Sequence, residues 1–171
     1  MVFTIPQRIE WAVRLLKVTP ADRILEVGCG NGLAVLLICD GLENGHVTAI
    51  DRSEKMVRLA HERNRHNVEA GKATILCADL LTAGLEANEF TKIFLFNLNV
   101  FWMDPIAELK EIRRLLAPHG PFYIFHNPPP GSELTEYAGA IEKNLEKNGF
   151  CVEAPIYNEA VSSLCIKSTP I

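Results

Sequence analysis

The chain has 171 residues, of which 48% are hydrophobic and 22% are charged. Its length is close to that of one domain, and this composition argues against a disordered, collagen-like or fibrous chain. The formal net charge of −4 at pH 7 provides no global positive field. Nucleic acid is therefore disfavoured as a partner, because phosphates are attracted by basic surfaces.

The N-terminal residues and the cysteines bear on the cellular compartment of the protein. Residues 1–11, MVFTIPQRIEW, lack the basic start and apolar run of a secretory signal. The most apolar stretch, residues 33–39, is too short to span a bilayer, so we expect a cytoplasmic protein with no membrane partner. The five cysteines form no C-x-x-C pair, and we expect no metal site and no disulfides but buried, reduced thiols.

Short β-rich runs alternate with helical stretches, a pattern typical of a mostly parallel sheet covered by helices. The predicted strands cover residues 23–27, 46–50, 73–77, 92–96, 121–125, 149–154 and 161–166. Helices are predicted from Pro6 to about Lys17, after Gly32 to about Gly41, from the N-cap Ser53 to about Asn67, after Asp104-Pro105, and from the cap Ser132 to Lys147. Residues 127–131 are predicted to form a rigid proline-rich loop. We expect one domain over 1–171, with an N-terminal helix and cap (1–21) and a core (22–171).

A glycine-rich loop follows the first predicted strand, in the segment ILEVGCGNG over residues 24–32. Glycine supplies positive φ and lets a ligand approach the backbone, and N–H groups at the start of the next helix are expected to face that ligand. The spacing is G-x-G-x-G, and Leu33 stands where a dinucleotide-binding loop has its third Gly or Ala. Glu26, two residues before the first glycine, suits a cation such as an amino acid's ammonium better than a pyrophosphate.

A second acidic residue, Asp51, ends the second predicted strand. A carboxylate there accepts both hydroxyls of a ribose in dinucleotide-binding folds. The alternative for Asp51, and for Asp79 after the third strand, is an ordinary role in a strand-end turn.

Together, these segments resemble class I S-adenosylmethionine-dependent methyltransferases. ILEVGCGNG, the end of the VTAID strand and the end of the ILCADLL strand resemble that family's first three motifs. The resemblance continues through KIFLFNLNVFW and LKEIRRLLAPHGPFYIF and covers roughly residues 22–125. It implies an α/β fold: a three-layer Rossmann-like sandwich with a mostly parallel seven-stranded sheet of order 3-2-1-4-5-7-6. The last strand would be antiparallel, and helices would cover both faces.

The resemblance also implies which residues bind S-adenosylmethionine. Glu26 and the backbone of the loop glycines would hold the methionine portion; these glycines are Gly28, Gly30 and Gly32. Asp51 would bind the ribose hydroxyls, with Arg52 and Met56 near the adenosine. Asp79 would accept from the adenine amine, Leu80 would donate its backbone N–H, and Asn97 would lie beside the sulfonium.

Acceptor residues are expected after the fourth and fifth strands. The candidates for substrate binding are Asn99, Trp102 and His126. His126 has an intrinsic pKa suited to a general base near neutrality, and Asn97 is a second catalytic candidate. The alternative for His126 is a purely structural role at a strand end, and the alternative for Trp102 is a place in the hydrophobic core.

The position of an Asn-Pro-Pro sequence bears on the acceptor class. Methyltransferases of base and glutamine amino groups carry an Asn/Asp-Pro-Pro-aromatic motif after the fourth strand. Here Asn127-Pro128-Pro129 follows the fifth strand instead, which argues against those acceptors.

The sequence therefore predicts an S-adenosylmethionine-dependent methyltransferase with a small-molecule acceptor. An acceptor site completed by a partner subunit, as in a homodimer, remains open. Two alternatives come from other functional classes: a non-catalytic S-adenosylmethionine-binding partner or regulator, and an NAD-dependent oxidoreductase domain.

Overall fold

The computed structural model describes residues 4–129 and 131–171. Residues 1–3 of the predicted N-terminal segment and Pro130 of the predicted proline-rich loop lie outside the described residues. The chain divides into two compact units, Met1–Asp79 and Leu80–Ile171, called here the N-terminal unit and the C-terminal unit. One domain over 1–171 stays a prediction.

The N-terminal unit contains three parallel strands in the order β3-β2-β1. Its elements are α1 (Gln7–Leu16), β1 (Arg23–Val27), α2 (Leu33–Gly41), β2 (His46–Asp51), α3 (Glu54–Arg63), α4 (Arg65–Glu69) and β3 (Ala73–Cys77). Four consecutive residues of β1 are buried, as expected for a parallel strand covered on both faces. Because Val27 pairs with Ile50 and Asp51 pairs with Cys77, the carboxyl ends of the three strands meet at one edge.

The single helix predicted from Ser53 to about Asn67 is wrong, because α3 ends at Arg63 and α4 begins at Arg65. The buried residue Asn64 separates the two helices, and its side-chain amide donates to Gly32 O at 2.9 Å and to Ala60 O at 3.0 Å. A short amide that bonds to backbone groups competes with regular helix geometry. The predicted N-cap is confirmed, since Ser53 Oγ accepts from Met56 N at 3.4 Å.

The C-terminal unit contains strands in the order β4-β5-β8-β6, with β7 also paired to β8. Its strands are β4 (Lys92–Phe96), β5 (Phe122–His126), β6 (Phe150–Val152), β7 (Ile156–Asn158) and β8 (Ser163–Pro170). Its helices are α5 (Ile106–Leu115) and α6 (Leu134–Lys147), with 3-10 turns at Asn99–Trp102 and Glu159–Val161. β4 and β5 are parallel, whereas β8 is antiparallel to each of its partners.

Within each unit the strand order agrees with the prediction, but the described residues contain eight strands rather than seven. The extra strand, β7, lies where a turn near Asn158 was predicted. It forms a tight hairpin in which Asn158 pairs with Ser163. The other half of β8 pairs with β6, with Val152 opposite Ser168. The long strand β8 therefore pairs with two short strands, β6 and β7. The predicted strand over 161–166 missed both the length of β8 and its second partner.

Two predicted helix caps are wrong. The N-caps of α5 and α6 are Pro105 and Glu133, and neither makes a side-chain capping bond. The 3-10 turn at Asn99–Trp102 was not predicted. It is held by α6, because Asn144 Nδ2 donates to Phe101 O at 3.2 Å and to Met103 O at 3.3 Å.

All five cysteines are free, and Cys29, Cys39 and Cys165 are buried as predicted. Cys77 and Cys151 are exposed, so the expectation of burial is wrong for these two. Within residues 4–129 and 131–171, no helix is long and apolar enough to cross a membrane. The same residues contain no cluster of three or more His, Cys, Asp or Glu side chains placed to hold a metal ion.

Candidate functional site

The glycine loop between β1 and α2 has the backbone geometry that the sequence predicts. Gly28, Gly30 and Gly32 have φ values of 77°, 53° and 73°, in the left-handed region that favours glycine. A Cβ at Gly32 would lie 2.6 Å from Asn64 Nδ2 and 2.9 Å from Ala60 Cβ. A Cβ at Gly30 would meet no described atom within 4 Å. Gly32 is therefore required for packing, whereas Gly30 borders open space.

Four N–H groups of this loop donate within the protein, while the expectation that N–H groups at the start of α2 face a ligand stays a prediction. Gly28 N and Cys29 N donate to Ile50 O at 2.8 and 3.0 Å, and Gly32 N donates to Cys29 O at 3.0 Å. Gly30 N donates to Asp51 Oδ2 at 2.8 Å. These four N–H groups are therefore engaged, and none of them is a free donor for a ligand.

Asp51 connects the glycine loop to the end of β2. Its Oδ2 accepts from Gly30 N, and its Oδ1 accepts from Ser53 N at 2.9 Å. Asp51 thus has the ordinary role in a strand-end turn that the sequence offered as the alternative to ligand binding. It does not exclude ligand binding, because each carboxylate oxygen has a second lone pair for a hydroxyl donor.

Glu26 is a buried acid on a strand that is otherwise apolar beyond its first residue. Burial, with a further contribution from the negative charge of Asp51, raises the pKa of Glu26 from 4.5 to about 8. Its Oε2 atom has no hydrogen-bond partner among the described residues. An ionised carboxylate is costly to bury without a partner, which is why burial favours the neutral acid; the role of Glu26 toward the methionine portion stays a prediction.

The predicted adenosine residues lie near the ends of β2 and β3. Arg52 Nη1 is 3.8 Å from Asp79 Oδ2, and the two side chains are 80% and 42% exposed. Such an exposed ion pair contributes little to stability. Met56 is half-buried in the first turn of α3. The structure brings Arg52 and Asp79 together, and the roles of all three residues toward adenosine stay predictions.

In the C-terminal unit, Asn97 ties the end of β4 to the end of β5. It has a φ of 51°, its N–H donates to Phe125 O at 3.0 Å, and its Oδ1 accepts from Asn127 N at 2.7 Å. Its side-chain oxygen is thus already engaged, which weakens its case as a catalytic group. Asn99 is exposed on the 3-10 turn, and Leu80 is buried.

Three rings form what we call the aromatic cluster: Trp102, His126 and Tyr137. The Tyr137 ring lies 5.4 Å from that of Trp102, edge to face, and 4.5 Å from that of His126. His126 is buried at the end of β5, and burial lowers its pKa below 6.5. The structure therefore brings together two predicted acceptor residues. Tyr137 was missed because its place in the first turn of α6 depends on where that helix begins.

Asn127 follows His126 after the fifth predicted strand, where acceptor residues are expected, and it begins the Asn-Pro-Pro sequence. Its Nδ2 donates to Val161 O at 3.0 Å and to Ser162 O at 3.1 Å, and it also contacts Ser163 Oγ. These contacts fix the amide, so the Asn127 side chain joins the end of β5 to the start of β8.

Comparison with known proteins identifies the kind of domain. A family model described as a methyltransferase domain matches residues 24–120. The chain is 30% identical over 119 residues to the uncharacterized methyltransferase YdaC of Bacillus subtilis (strain 168), a match covering 70% of this chain and 64% of that protein. It is 28% identical over 145 residues to a malonyl-[acyl-carrier protein] O-methyltransferase of Herminiimonas arsenicoxydans, covering 84% of this chain and 52% of that protein. The chain thus spans less than two thirds of the length of these relatives.

A solved structure supports the fold. The chain is similar to a SAM-dependent methyltransferase from Aquifex aeolicus with a TM-score of 0.79 and 20% sequence identity, covering 95% of this chain and 89% of that one. The likeness confirms the predicted Rossmann-like α/β fold, in which a mostly parallel sheet contains an antiparallel strand.

We expect Glu26 to make stability depend on pH. Because folding raises its pKa from 4.5 to about 8, the stability contributed by the neutral acid is complete below pH 4.5 and is lost as the pH rises through about 8. The free energy of unfolding should fall by up to about 1.4 kcal/mol per pH unit in this range. Urea unfolding of the wild type and of Glu26→Gln at pH 5.5, 6.5 and 7.5 measures the difference in slope. Equal slopes in the two proteins would contradict the assignment.

Alanine substitutions should separate the packing glycine from the open one. Gly30→Ala and the control Gly71→Ala, whose residue has a φ of 73° and open space around its Cβ, should each lose about 1–2 kcal/mol from left-handed strain. Gly32→Ala should lose clearly more, because its Cβ would also collide with Asn64 and Ala60. Thermal or urea unfolding measures all three. A Gly32→Ala variant as stable as Gly71→Ala would refute the packing argument.

Proposed function

Because the chain belongs to the methyltransferase family whose domain model matches residues 24–120, we propose that it transfers a methyl group from S-adenosylmethionine to a small-molecule acceptor. Membership agrees with the sequence resemblance to class I S-adenosylmethionine-dependent methyltransferases and supports that cofactor. One structural observation carries the proposal: the buried acid Glu26, whose Oε2 has no hydrogen-bond partner among the described residues, precedes a glycine loop. Four N–H groups of that loop already donate within the protein.

The residues of the N-terminal unit fit an amino acid cation attached to a nucleoside. The carboxyl group of Glu26 would bind the ammonium and ionise in doing so, since an adjacent positive charge lowers the pKa of an acid. Asp51 would accept from the ribose hydroxyls, and Asp79 would accept from the adenine amine. When bound, S-adenosylmethionine supplies an electrophilic methyl group on a sulfonium with a good leaving group. The chain's own residues then have mainly to orient the reactants.

The same observations disfavour NAD. A pyrophosphate is normally held by backbone N–H groups of a glycine loop and of the following helix start, and in the loop the N–H groups of Gly28, Cys29, Gly30 and Gly32 already donate within the protein. Glu26 would add an unfavourable negative charge beside the phosphates once ionised.

The net charge supports a small-molecule acceptor over nucleic acid, and relatedness supports oxygen as the acceptor atom. The net charge of −4 gives no advantage in binding a phosphate backbone. One relative is named as an O-methyltransferase of a malonyl group on an acyl carrier protein, which makes oxygen a reasonable acceptor atom here. His126 and Trp102 are the acceptor contacts that we propose, with Asn99 a more exposed third candidate.

We expect the protein to bind S-adenosylmethionine and S-adenosylhomocysteine and to ignore NAD, because the site favours a cation over a pyrophosphate. Calorimetric titration with each ligand measures this. Asp51→Ala should weaken S-adenosylhomocysteine binding by about 1.5–3 kcal/mol, the usual loss for hydrogen bonds to a charged group. Gly30→Ala should also weaken binding, whereas the equally strained Gly71→Ala should not.

Two results would count against cofactor binding as proposed. NAD binding without any response to S-adenosylhomocysteine would reverse the ligand assignment. Unchanged affinity in a folded Asp51→Ala protein would remove the ribose role and leave Asp51 with the loop-anchoring role alone.

Radiolabelled methyl transfer tests the acceptor class. With labelled S-adenosylmethionine and a fractionated cell extract, we expect label in small molecules rather than in protein or nucleic acid, because the charge of the chain does not favour a polyanion. Boiled protein and the Asp51→Ala variant are the controls. Label mainly in nucleic acid would contradict the proposal, and cofactor binding without label in any fraction would favour the non-catalytic alternative.

A further inference from the structure

Two neighbouring residues where α3 meets α4, Arg63 and Asn64, bond to the glycine loop; we call them the junction pair. Asn64 Nδ2 donates to Gly32 O at 2.9 Å, and the Arg63 guanidinium donates to Asn31 O. The two acceptors are consecutive carbonyl groups immediately before α2 begins at Leu33. The junction pair, thirty-two residues further along the chain, therefore holds the carbonyl side of the loop.

The Asn64 side chain is fixed in one orientation. It is buried, its Nδ2 also donates to Ala60 O at 3.0 Å, and its Oδ1 accepts from Asn67 Nδ2 at 3.4 Å. Turning the amide over would place its oxygen against two carbonyl oxygens, which cannot donate to it. The amide also fills the space that a Cβ on Gly32 would need, since that atom would lie 2.6 Å from Nδ2. The end of α3 and the loop are therefore locked together.

The N–H side of the loop is held from the other end of the same helix. Gly30 N donates to Asp51 Oδ2 at 2.8 Å, and Asp51 Oδ1 accepts from Ser53 N at 2.9 Å. Ser53 is the N-cap of α3, the helix that ends at the junction pair. Asp51, α3, the junction pair and the glycine loop thus form a closed ring of contacts. A change at the junction pair can therefore reach Gly30 and Asp51 through the loop backbone.

The composition of the loop explains why such support matters for binding. Three of the five residues from 28 to 32 are glycine, the residue that loses the most conformational freedom when it is ordered. A loop that becomes ordered only when the ligand binds lowers the affinity, because the entropy is then lost at the binding step. Hydrogen bonds that order the loop beforehand remove this loss.

We propose that Arg63 and Asn64 are positioning residues for the cofactor, which keep the glycine loop in the conformation in which Gly30 and Asp51 bind S-adenosylmethionine. The assignment rests on the function proposed above and adds to it two residues that lie outside the motifs of the sequence. The junction pair acts through the carbonyl groups of Asn31 and Gly32, so its effect requires no contact with the ligand. Such supporting bonds hold a binding site in its productive geometry.

Lys72 provides a matched control at the other end of α2. Its Nζ donates to Leu42 O at 2.6 Å and to Cys39 O at 3.3 Å. Lys72→Met keeps most of the apolar stem and removes both hydrogen bonds. Asn64→Leu likewise keeps a side chain of similar size and removes two hydrogen bonds to backbone carbonyl groups. Both variants should lose stability, but only Asn64→Leu releases the end of α2 that adjoins the glycine loop.

The first test measures S-adenosylhomocysteine affinity by calorimetric titration, at a temperature where urea unfolding shows every variant to be folded. Asn64→Leu should weaken binding about three- to tenfold, the worth of one hydrogen bond. Arg63→Met should also weaken binding, and Arg63→Lys, which keeps a donor for Asn31 O, should recover most of the loss. Lys72→Met should stay within about twofold of the wild type. If Asn64→Leu fails to fold, Asn64→Ala replaces it.

The second test observes the loop without any ligand. A sample labelled with ¹⁵N-glycine reports on the eleven glycines of the chain, and Gly30→Ala identifies the signal of Gly30. Because Gly30 N–H donates to Asp51, its hydrogen exchange with solvent reports how often the loop opens. Exchange at Gly30 should be about tenfold faster in Asn64→Leu than in the wild type. In Lys72→Met it should stay within about twofold of the wild type.

The outcomes separate the positioning role from the proposed function. If the wild type binds S-adenosylhomocysteine and Asn64→Leu binds it as tightly as Lys72→Met does, the positioning role is overturned and the methyltransferase proposal stands. Equal exchange rates at Gly30 in these two variants would also overturn it. A wild type that does not bind S-adenosylhomocysteine would overturn the methyltransferase proposal itself, and the positioning role with it.

Discussion

The hydrogen bond from Gly30 N–H to the carboxylate of Asp51 is the interaction on which the cofactor region depends. It becomes possible because β1 and β2 are parallel and Val27 pairs with Ile50. The segments that follow the two strands therefore leave the sheet at the same edge, where Gly30 N reaches Asp51. Parallel pairing is set over whole strands, and a slip by one residue would turn the opposite side chains inward. The position of the loop is therefore a consequence of the buried strands beneath it.

This constraint also determines the chemistry that the loop can offer. The N–H groups of Gly28, Cys29, Gly30 and Gly32 donate to Ile50 O, Cys29 O and Asp51, so these four groups are not free to bind a ligand. The neighbouring Glu26 then adds an acid whose pKa of about 8 keeps it mostly neutral near pH 7 until a cation arrives. A glycine-rich turn after a strand is compatible with many ligands. The buried acid of Glu26 supports the positively charged ligand proposed above.

Prediction from the sequence succeeded where structure follows from local pattern. The bounds 23–27, 73–77 and 92–96 are those of β1, β3 and β4, because short apolar runs between turn residues specify strands well. It failed where distant contacts decide. Asn64 breaks a helix by bonding to Gly32 O, and β7 exists because β8 is long enough for two partners.

The same distinction explains what the site revealed only in three dimensions. Glu26 and Asp51 were recognisable because they flank a motif at fixed spacing, whereas Tyr137 belongs to no motif and the Asn-Pro-Pro sequence that begins with Asn127 follows the fifth strand rather than the fourth. Their contacts depend on folding: Tyr137 packs on Trp102 and His126, and Asn127 Nδ2 bonds to the start of β8. A cofactor common to a family is thus written in short sequence segments. Contacts between segments that lie far apart in the chain are not, because they form only when strands and helices have packed.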